Sequence, residues 1–521
     1  MSTKTIKLTP FAKALIVIIA ILALGFGLFK AGIFTKAKGQ LNSVKSVFNK
    51  NDSDDEKYAK AEEIVKEAGT INISLDEWTG YKSIIDANGG LRTAEGSIYD
   101  QLGLKVNISV INDATQSSNA LIKGDLDGAG YTVNRFAFLY NKFNSNKTPV
   151  KMGFITNQST GGDGIIAKDG INSIEDLKGK VIGVPRYSES QVFTEWLLKK
   201  SNLSDADIKE IRSKMILFDT PDDCAKAFFA GELDAAATWQ PYLSQATETA
   251  GAHLLFSTTD APNMILSGVV FRQDFIDNNR DTVSKLMEGA LKARDLYDKD
   301  GKAMQNSFPM FATMSEKEII EQTADASLVS CKDNVSFLSK GGAAYTLFEE
   351  MSDMWKELGE DADKGNVSNA FDATIAKDLT SKFSEDVETK VLISNDDKQK
   401  AQQDNNALLS QNLSINFETG GSAINPDSFT SLNEFANTAK LLNNTVIQIE
   451  GNTDSTGDYN QNKQLSEDRA RSIAKYLQAQ GIDSSRFIII GNGPDKPIGD
   501  NNTEEGKAAN RRTDVYFKSV G

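Results

Sequence analysis

The strongest hydrophobic pattern in the chain is a nearly uncharged apolar run near its start, over residues 14–34. It is long enough to cross a bilayer as a helix, with one lysine placed to reach the interface. We therefore predict that residues 1–34 form a cytoplasmic tip and a transmembrane anchor. A cleaved signal peptide is the alternative, but neither a small-residue cleavage site nor a cysteine for lipid attachment follows the run. Positive residues in front of the run predict that the bulk is exported: Lys4, Lys7 and Lys13.

Apolar and polar positions then divide the remaining chain into a linker and a large folded region. Residues 35–69 are polar and charged, which predicts a solvated linker or stalk. From residue 70 to 392 short apolar runs alternate with helical patterns, as in α/β layers with mostly parallel sheets. The clearest predicted strands are residues 71–75, 106–111, 151–155, 164–167, 181–184 and 264–271.

A second polar stretch, residues 393–411, is predicted to connect this region to a compact final unit, residues 412–521. In that unit, segments whose apolar residues recur every second position alternate with segments in which they recur about every 3.6 positions. This mixture of strand and helix patterns indicates an α+β domain. Its strands are predicted at residues 413–417, 446–450, 487–490 and 513–517, and its helices at 427–442, 465–479 and 504–510.

The composition argues against several classes of function but says little about the fold. The net charge of −15 argues against nucleic acid as a partner. With His253 as the single histidine, neither a metal site nor histidine acid–base catalysis is expected. Cys224 and Cys331 are too few for a disulfide framework and are interpreted as buried thiols, although pairing after export stays open. No nucleophile–base set and no phosphate-binding glycine loop is found, so we expect no enzyme activity and no cofactor.

Polar and aromatic residues follow several predicted strands of the large region. Trp78 and Tyr81 follow the first strand, and a small-residue strand delivers Trp239 and Gln240 to its exit. After the strand at 181–184, a polar loop containing Ser188 and Ser190 opens a helix. Helix starts at the ends of parallel strands bind polar ligands. The two serines are equally consistent with plain helix capping, and the aromatic residues with core packing.

Three blocks carry a family resemblance over residues 71–340: Trp78-Thr79-Gly80-Tyr81, Asp176-Leu177-Lys178-Gly179-Lys180 and Gly231-Glu232-Leu233-Asp234-Ala235. Their order resembles periplasmic substrate-binding proteins of the nitrate, sulfonate, taurine and thiamine-precursor type. The resemblance implies a two-lobed clamshell over residues 70–392, with lobe I at 71–155 and 267–392 and lobe II at 156–266. It also implies a small solute in the cleft and an ABC-type permease as a candidate partner.

The charge of such a solute stays open at the level of sequence. Arg135 and Arg186 are available for an anion, but charged residues this common are usually solvated. Asp163, after two glycines, would suit a cationic ligand or a turn, and the turn interpretation is preferred.

The final unit carries a second pattern, Gly451-Asn452-Thr453-Asp454, then Leu465-Ser466 and Arg469-Ala470, then Asn510-Arg511-Arg512. It resembles the peptidoglycan-binding domain of the OmpA/MotB family. That resemblance implies that Asp454 and Arg469 hold the amino and carboxylate groups of the diaminopimelate stem peptide. Asn452 stands where the family usually has histidine. The remaining residues implied at the site are Thr453, Asn462, Asn510 and Arg512.

The sequence thus predicts a single-pass protein of the inner membrane whose bulk lies in the periplasm. It would bind a small solute and be tethered to peptidoglycan. The alternative is a structural tether whose clamshell is a spacer or protein-docking module. Because the apolar span contains no Asp or Glu, an ion-driven motor stator is disfavoured.

Overall fold

A computed structural model describes residues 69–384, 392–404, 406–413, 415–418 and 420–520 of the chain. The first lobe is built on a six-stranded sheet in the order β11-β4-β10-β3-β1-β2. Its β1, β2 and β3 are parallel, whereas β10 runs antiparallel to β3 and β4. The strands are β1 Ile71–Leu75, β2 Val106–Val110, β3 Gly128–Thr132, β4 Val150–Ser159, β10 Leu266–Arg272 and β11 Ala326–Leu328.

The second lobe has a five-stranded sheet in the order β7-β6-β8-β5-β9. The chain enters this lobe after β4 and returns to the first lobe through β10. Both sheets are therefore mixed and not mostly parallel, because strands next to the two crossings run against their neighbours. The strands are β5 Asp163–Lys168, β6 Ile182–Pro185, β7 Met215–Phe218, β8 Ala235–Trp239 and β9 Ala252–Ser257.

Helices cover the sheets of both lobes. In the first lobe they are α1 Lys82–Asn88, α2 Ile98–Gln101, α3 Ala114–Lys123 and α4 Val133–Ser145, then α9 Gln273–Asn278, α10 Arg280–Lys292, α11 Arg294–Tyr297, α12 Lys302–Ser307, α13 Glu316–Thr323, α14 Cys331–Leu338, α15 Ala343–Glu357 and α16 Thr374–Leu379. In the second lobe they are α5 Glu189–Lys200, α6 Asp205–Lys214, α7 Pro221–Phe229 and α8 Tyr242–Glu248. Cys224 and Cys331 are both buried, and no disulfide joins them.

The C-terminal unit, residues 392–520, is a four-stranded sheet in the order β12-β15-β13-β14 with helices packed on it. The strands are β12 Leu409–Leu413, β13 Val446–Asn452, β14 Phe487–Gly493 and β15 Thr513–Lys518, and the helices α17 Asn395–Gln403, α18 Phe429–Leu441, α19 Tyr459–Ala479 and α20 Glu504–Asn510. The stretch at 393–411 is therefore largely folded, since it holds α17 and the start of β12.

Helix α15 of the first lobe lies against α5 of the second. Glu350 accepts a hydrogen bond from Trp196 Nε1 at 3.0 Å and pairs with Lys200 Nζ at 2.9 Å. Farther along α15, Glu357 pairs with Arg212 at 3.3 Å. These contacts join the two lobes.

The C-terminal unit contacts both lobes and the crossing between them. On the second lobe, Asn202 Nδ2 donates to Ser410 Oγ at 3.0 Å. At the crossing, Asn444 Nδ2 donates to Thr259 O at 2.8 Å. On the first lobe, Lys440 Nζ donates to Gly341 O at 3.3 Å, and α18 packs on α15.

Two predicted elements need correction. The strand predicted at 413–417 is wrong, because β12 ends at Leu413 and Phe417 forms only an isolated bridge with Ile424. The helix predicted from residue 465 begins at Tyr459, because Asp458 caps it by accepting from Gln461 N. In the part of the chain that the structure describes, no helix has the length and apolar character of a membrane span. The predicted anchor at residues 14–34 lies outside that part.

Candidate functional site

The cleft between the lobes lies where β1 and β3 of one lobe and β5, β6 and β8 of the other end or begin. Across it, Arg135 Nη2 of α4 donates to Glu189 Oε2 of α5 at 3.0 Å. Thr132 Oγ1 donates to the other oxygen, Glu189 Oε1, at 2.7 Å. Thr132 is also the N-cap of α4, and Glu189 is the first residue of α5. The N-termini of these two helices therefore meet at Glu189. The lobes therefore touch through a charged bond.

Two further carboxylates belong to this cleft. Asp76, which follows β1, has its Oδ2 4.0 Å from Arg135 Nη1. About a third of its side chain is accessible, 32%, but its Oδ1 is sealed from solvent and has no hydrogen-bond partner. Burial therefore raises the pKa of Asp76 to about 6, although Arg135 opposes the shift.

Asp163 is the first residue of β5 and lies opposite Trp239 in the sheet, so the turn interpretation is wrong. Its side chain is buried, with 6% of the residue exposed, and its Oδ2 accepts from Ser159 Oγ at 2.8 Å. Burial raises the pKa of Asp163 to about 7, and the charges of Glu189 and Asp325 raise it further against the Ser159 bond.

The aromatic residues predicted for the cleft lie at its first-lobe wall. Trp78 Nε1 donates to Asn157 Oδ1 at 3.1 Å, and a Cβ at Gly162 would lie 2.8 Å from Trp78 Cη2. The indole therefore packs directly on the backbone that enters the second lobe. Tyr81 is fully buried, and Asp76, Arg135 and Glu189 all influence its phenol electrostatically.

Some of the solute-binding residues predicted in the second lobe have structural roles, as helix caps or as buried side chains. Ser188 caps α5, since its Oγ accepts from Gln191 N at 3.2 Å. Ser190 is buried in the first turn of the same helix. Gln240 accepts from Ser244 Oγ at 2.9 Å at the start of α8, whereas Trp239 is half-buried.

In the C-terminal unit, Asp454 lies in the loop after β13 and contacts Arg511, which is close to the C-terminus of the chain. Arg511 Nη1 donates to Asp454 Oδ2 at 2.6 Å, and Thr456 N donates to Oδ1 at 2.8 Å. Burial opposes ionisation, but these two bonds outweigh it and hold the pKa of Asp454 below its usual value. Asp454 is 8% exposed, whereas the Arg511 side chain is 45% exposed. The carboxylate thus sits beneath an accessible guanidinium.

Arg469 reaches the same region from α19. Its Nε donates to Gly421 O at 3.0 Å, and its guanidinium lies 5.0 Å from the centre of the Phe417 ring. Burial and the nearby charge of Arg511 lower the pKa of Arg469, while Asp454 opposes that shift. Asp454, Arg469 and Arg511 therefore act on one another electrostatically. Close packing fixes Arg469, because a Cβ on Gly451 would overlap Ser466 O of α19.

The other predicted residues of this unit brace the loop or face elsewhere. Thr453 Oγ1 donates to Asp454 O at 2.8 Å, and Asn462 Nδ2 donates to Thr456 O at 2.9 Å. Asn510 is buried and donates to Asn501 Oδ1 at 2.9 Å. That same oxygen accepts from Ser455 N, the residue after Asp454. Their backbone and amide contacts assign them to holding the loop.

Arg512 and Asn452 lie on the other side of β13 and β15. Arg512 Nε and Nη2 both lie 2.9 Å from the carboxylate of Asp514. Asn452 Nδ2 donates to Asp514 Oδ2 at 3.0 Å, and Asn452 Oδ1 accepts from Asn492 Nδ2 at 3.1 Å. Asn452 is thus part of a buried polar network and not of the Asp454 loop.

Sequence reasoning missed Arg511 at this site and Asp76 and Glu189 in the cleft. Strand pairing could have found Arg511, because β13 and β15 are adjacent and antiparallel, with Gly451 opposite Thr513. Asp76 follows β1 directly, the position where parallel sheets hold ligands. Glu189 lies between Ser188 and Ser190 in the sequence, but its partner Arg135 belongs to the opposite lobe and cannot be identified from the local sequence.

Two family models match separate parts of the chain. Residues 94–300 match the family described as NMT1/THI5 like, and residues 416–511 match the OmpA family. The chain joins an NMT1/THI5-like domain to a C-terminal OmpA domain. Both family resemblances drawn from the sequence are thereby confirmed.

Curated relatives share only part of their length with the chain. It is 37% identical over 115 residues to the probable lipoprotein YiaD of Escherichia coli, covering 22% of this chain and 52% of that protein. It is 36% identical over 101 residues to the peptidoglycan-binding protein ArfA of Mycobacterium tuberculosis, covering 19% of this chain and 31% of that protein. The chain therefore spans about half the length, or less, of these two relatives.

Solved structures resemble the NMT1/THI5-like part at low sequence identity. The periplasmic aliphatic sulphonate binding protein SsuA of Escherichia coli gives a TM-score of 0.45 at 15% identity, covering 60% of this chain and all of that one, 100%. The periplasmic nitrate-binding protein NrtA of Synechocystis gives a TM-score of 0.45 at 13% identity, covering 61% of this chain and 90% of that one.

Proposed function

We propose that the OmpA domain tethers the protein to peptidoglycan through Asp454, Arg469 and Arg511. The observation that carries this proposal is the convergence of one carboxylate and two guanidinium groups at the loop after β13. The free end of a diaminopimelate stem carries an ammonium and a carboxylate. Asp454 supplies an acceptor for the ammonium, and the arginine forks match the carboxylate. The similarity to ArfA supports the same assignment.

Sedimentation with purified peptidoglycan tests this tether. We expect Asp454→Asn or Arg469→Ala to remove co-sedimentation of the full-length chain with diaminopimelate-type peptidoglycan. Arg471→Ala is the matched control for Arg469, because Arg471 lies on the same helix with 50% of its side chain exposed and pairs with Glu467. Asp468→Asn, on a partly exposed carboxylate of that helix, is the control for Asp454. Unchanged retention of both site variants, with unchanged circular dichroism, would reject the proposed site.

The NMT1/THI5-like domain is proposed to bind a small solute in the cleft. Its two lobes each bring helix starts and polar groups to the cleft, and hinge closure around a ligand is the usual motion of such a fold. Thermal-shift and calorimetric screening of the full-length chain tests this function. We expect at least one small solute to raise the melting temperature of the chain. In calorimetry the same solute should show saturable binding with a stoichiometry near one per chain.

A spacer or protein-docking role is the second candidate, favoured by the direct closure of the cleft. Arg135 bonds Glu189 across it, and Trp78 rests on the backbone at Gly162. A spacer gains only stability from these contacts. We therefore expect Glu189→Gln to open the cleft to solutes if it binds them, and to change nothing but the melting temperature if it does not.

Residues 1–34 are proposed to hold the protein in the inner membrane, with the bulk in the periplasm and an ABC-type permease as a candidate partner. The apolar run and the lysines before it support this arrangement. We expect the chain to remain with the membrane pellet after an alkaline carbonate wash. Release of the intact chain into that wash would reject the anchor.

A further inference from the structure

We propose that the solute of the cleft is a small organic cation, an alkylammonium or arylammonium, whose charge is received by Asp76 and Asp163. This inference rests on the proposed solute-binding function and specifies its ligand class. It differs from the anions named for the structurally similar sulphonate- and nitrate-binding proteins.

Charge balance in the cleft favours a cation. Asp76 and Glu189 both lie beside Arg135, which already donates to Glu189 at 3.0 Å, and the charge of Glu189 also acts on Asp163. A nitrate or sulfonate would have to take Arg135 from Glu189 and would then meet three carboxylates at close range. An ammonium group instead meets the excess negative charge, so its electrostatic energy is favourable without breaking the bond between the lobes.

Two buried oxygen atoms that follow β1 lack a hydrogen-bond partner. They are Asp76 Oδ1 and, three residues later, Thr79 Oγ1. Asp163 is 6% exposed, and its Oδ2 accepts from Ser159 Oγ. Buried acceptors without donors are unfavourable, and a primary ammonium brings three N–H donors.

The two aspartates are held as partly protonated acids in the absence of a ligand. Burial raises the pKa of Asp76 to about 6 and that of Asp163 to about 7. A bound ammonium would lower both pKa values, since it stabilises their ionised forms. The cleft is thus able to take up a cation by releasing protons, whereas an anion would increase the protonation of the same groups.

The walls suit the hydrocarbon part of an organic cation. The Trp78 indole lies at the entrance to the second lobe, and Trp239 stands opposite Asp163 in the β5–β8 pair. Aromatic faces attract cations and pack against apolar groups, so they add affinity for an ammonium that carries an alkyl or aryl body.

Matched probes separate charge from shape. Calorimetry at pH 8 on the full-length chain in detergent micelles would compare benzylamine, benzyl alcohol and phenylmethanesulfonate, and then butylamine, butanol and butanesulfonate. We expect the ammonium member of at least one set to bind ten-fold or more tightly than its two counterparts. Asp163→Asn should weaken that binding at least ten-fold, and Asp76→Asn should also weaken it. Asp281→Asn, at a carboxylate with 81% of its side chain exposed, should not.

The outcomes distinguish the two proposals. Tighter binding of a sulfonate would overturn the cation assignment and leave solute binding intact. Equal ammonium affinity in the parent, Asp163→Asn and Asp76→Asn would overturn the assigned carboxylates. No heat from any probe, in the parent or in Glu189→Gln, would overturn both the solute function and its ligand class.

Discussion

Replacing Asp163 by asparagine should stabilise the ligand-free protein, by a margin that grows with pH. Asparagine keeps the shape of the side chain and an oxygen that accepts from Ser159 Oγ. It removes the carboxylate that burial and the neighbouring Glu189 and Asp325 make difficult to ionise. A site that is unfavourable without its ligand and favourable with it is expected where binding, and not stability, was selected.

The size of the effect follows from the pKa of Asp163, which moves from 3.8 to about 7 on folding. A carboxyl group with a raised pKa in the folded state loses stability as pH rises from its unfolded value through its folded value. Between pH 5 and pH 8 this loss is about 3 kcal/mol at about 1.4 kcal/mol per unit of pKa. The asparagine variant has no such loss, so its advantage over the parent should widen by about 3 kcal/mol across that range.

Denaturation of both proteins at pH 5, 6, 7 and 8, followed by tryptophan fluorescence, measures this margin. Trp78 and Trp239 lie at the cleft and report on the lobes that carry Asp163. Asp281→Asn serves as the exposed control. A margin that stays constant from pH 5 to pH 8 would refute the raised pKa.

Three further predictions concern the C-terminal unit. Arg486→Met should lower the free energy of unfolding of this unit by about 3 kcal/mol in urea denaturation, because the buried Arg486 guanidinium donates to carbonyl oxygens that would lose their partner. A decrease below about 0.5 kcal/mol, the size of ordinary surface substitutions, would contradict this prediction. Gly451→Ala should push α19 from β13 and so weaken peptidoglycan binding through Arg469, which a peptidoglycan-binding assay on protein shown to be folded by circular dichroism checks. Arg511→Ala should weaken peptidoglycan binding about ten-fold, equivalent to about 1.4 kcal/mol, and raise the pKa of Asp454, measurable by NMR titration; a pKa that does not move would remove Arg511 from the site.

Local pattern was sufficient for elements whose core face is continuous. The strand at 71–75 and the helix at 504–510 have the predicted bounds. It failed at 413–417, where alternating Leu413, Ile415 and Phe417 suggest a strand. In the fold Phe417 instead lies under the Arg469 guanidinium. A side chain that supports a binding residue and one that fills a sheet look alike in a hydrophobic pattern.

The candidate sites show the same limit at longer range. Asp454 and Arg469 stand in one loop-and-helix segment, so sequence spacing alone predicts that they lie near each other. Arg511 meets Asp454 only because β15 pairs with β13, and Glu189 meets Arg135 only because two lobes face each other. Pairing between distant segments depends on tertiary packing, which spacing along the chain does not encode.

The contacts of the OmpA domain with both lobes have a mechanical consequence. Ser410, Asn444 and Lys440 attach it to the second lobe, to the crossing and to the first lobe. With the proposed tether, a pull transmitted from a stretched murein network would load these three points together and would shear the lobes against each other. For the proposed solute-binding function, opening of the cleft would then depend on turgor, so the same solute concentration would give different occupancy in a swollen cell and in a plasmolysed one.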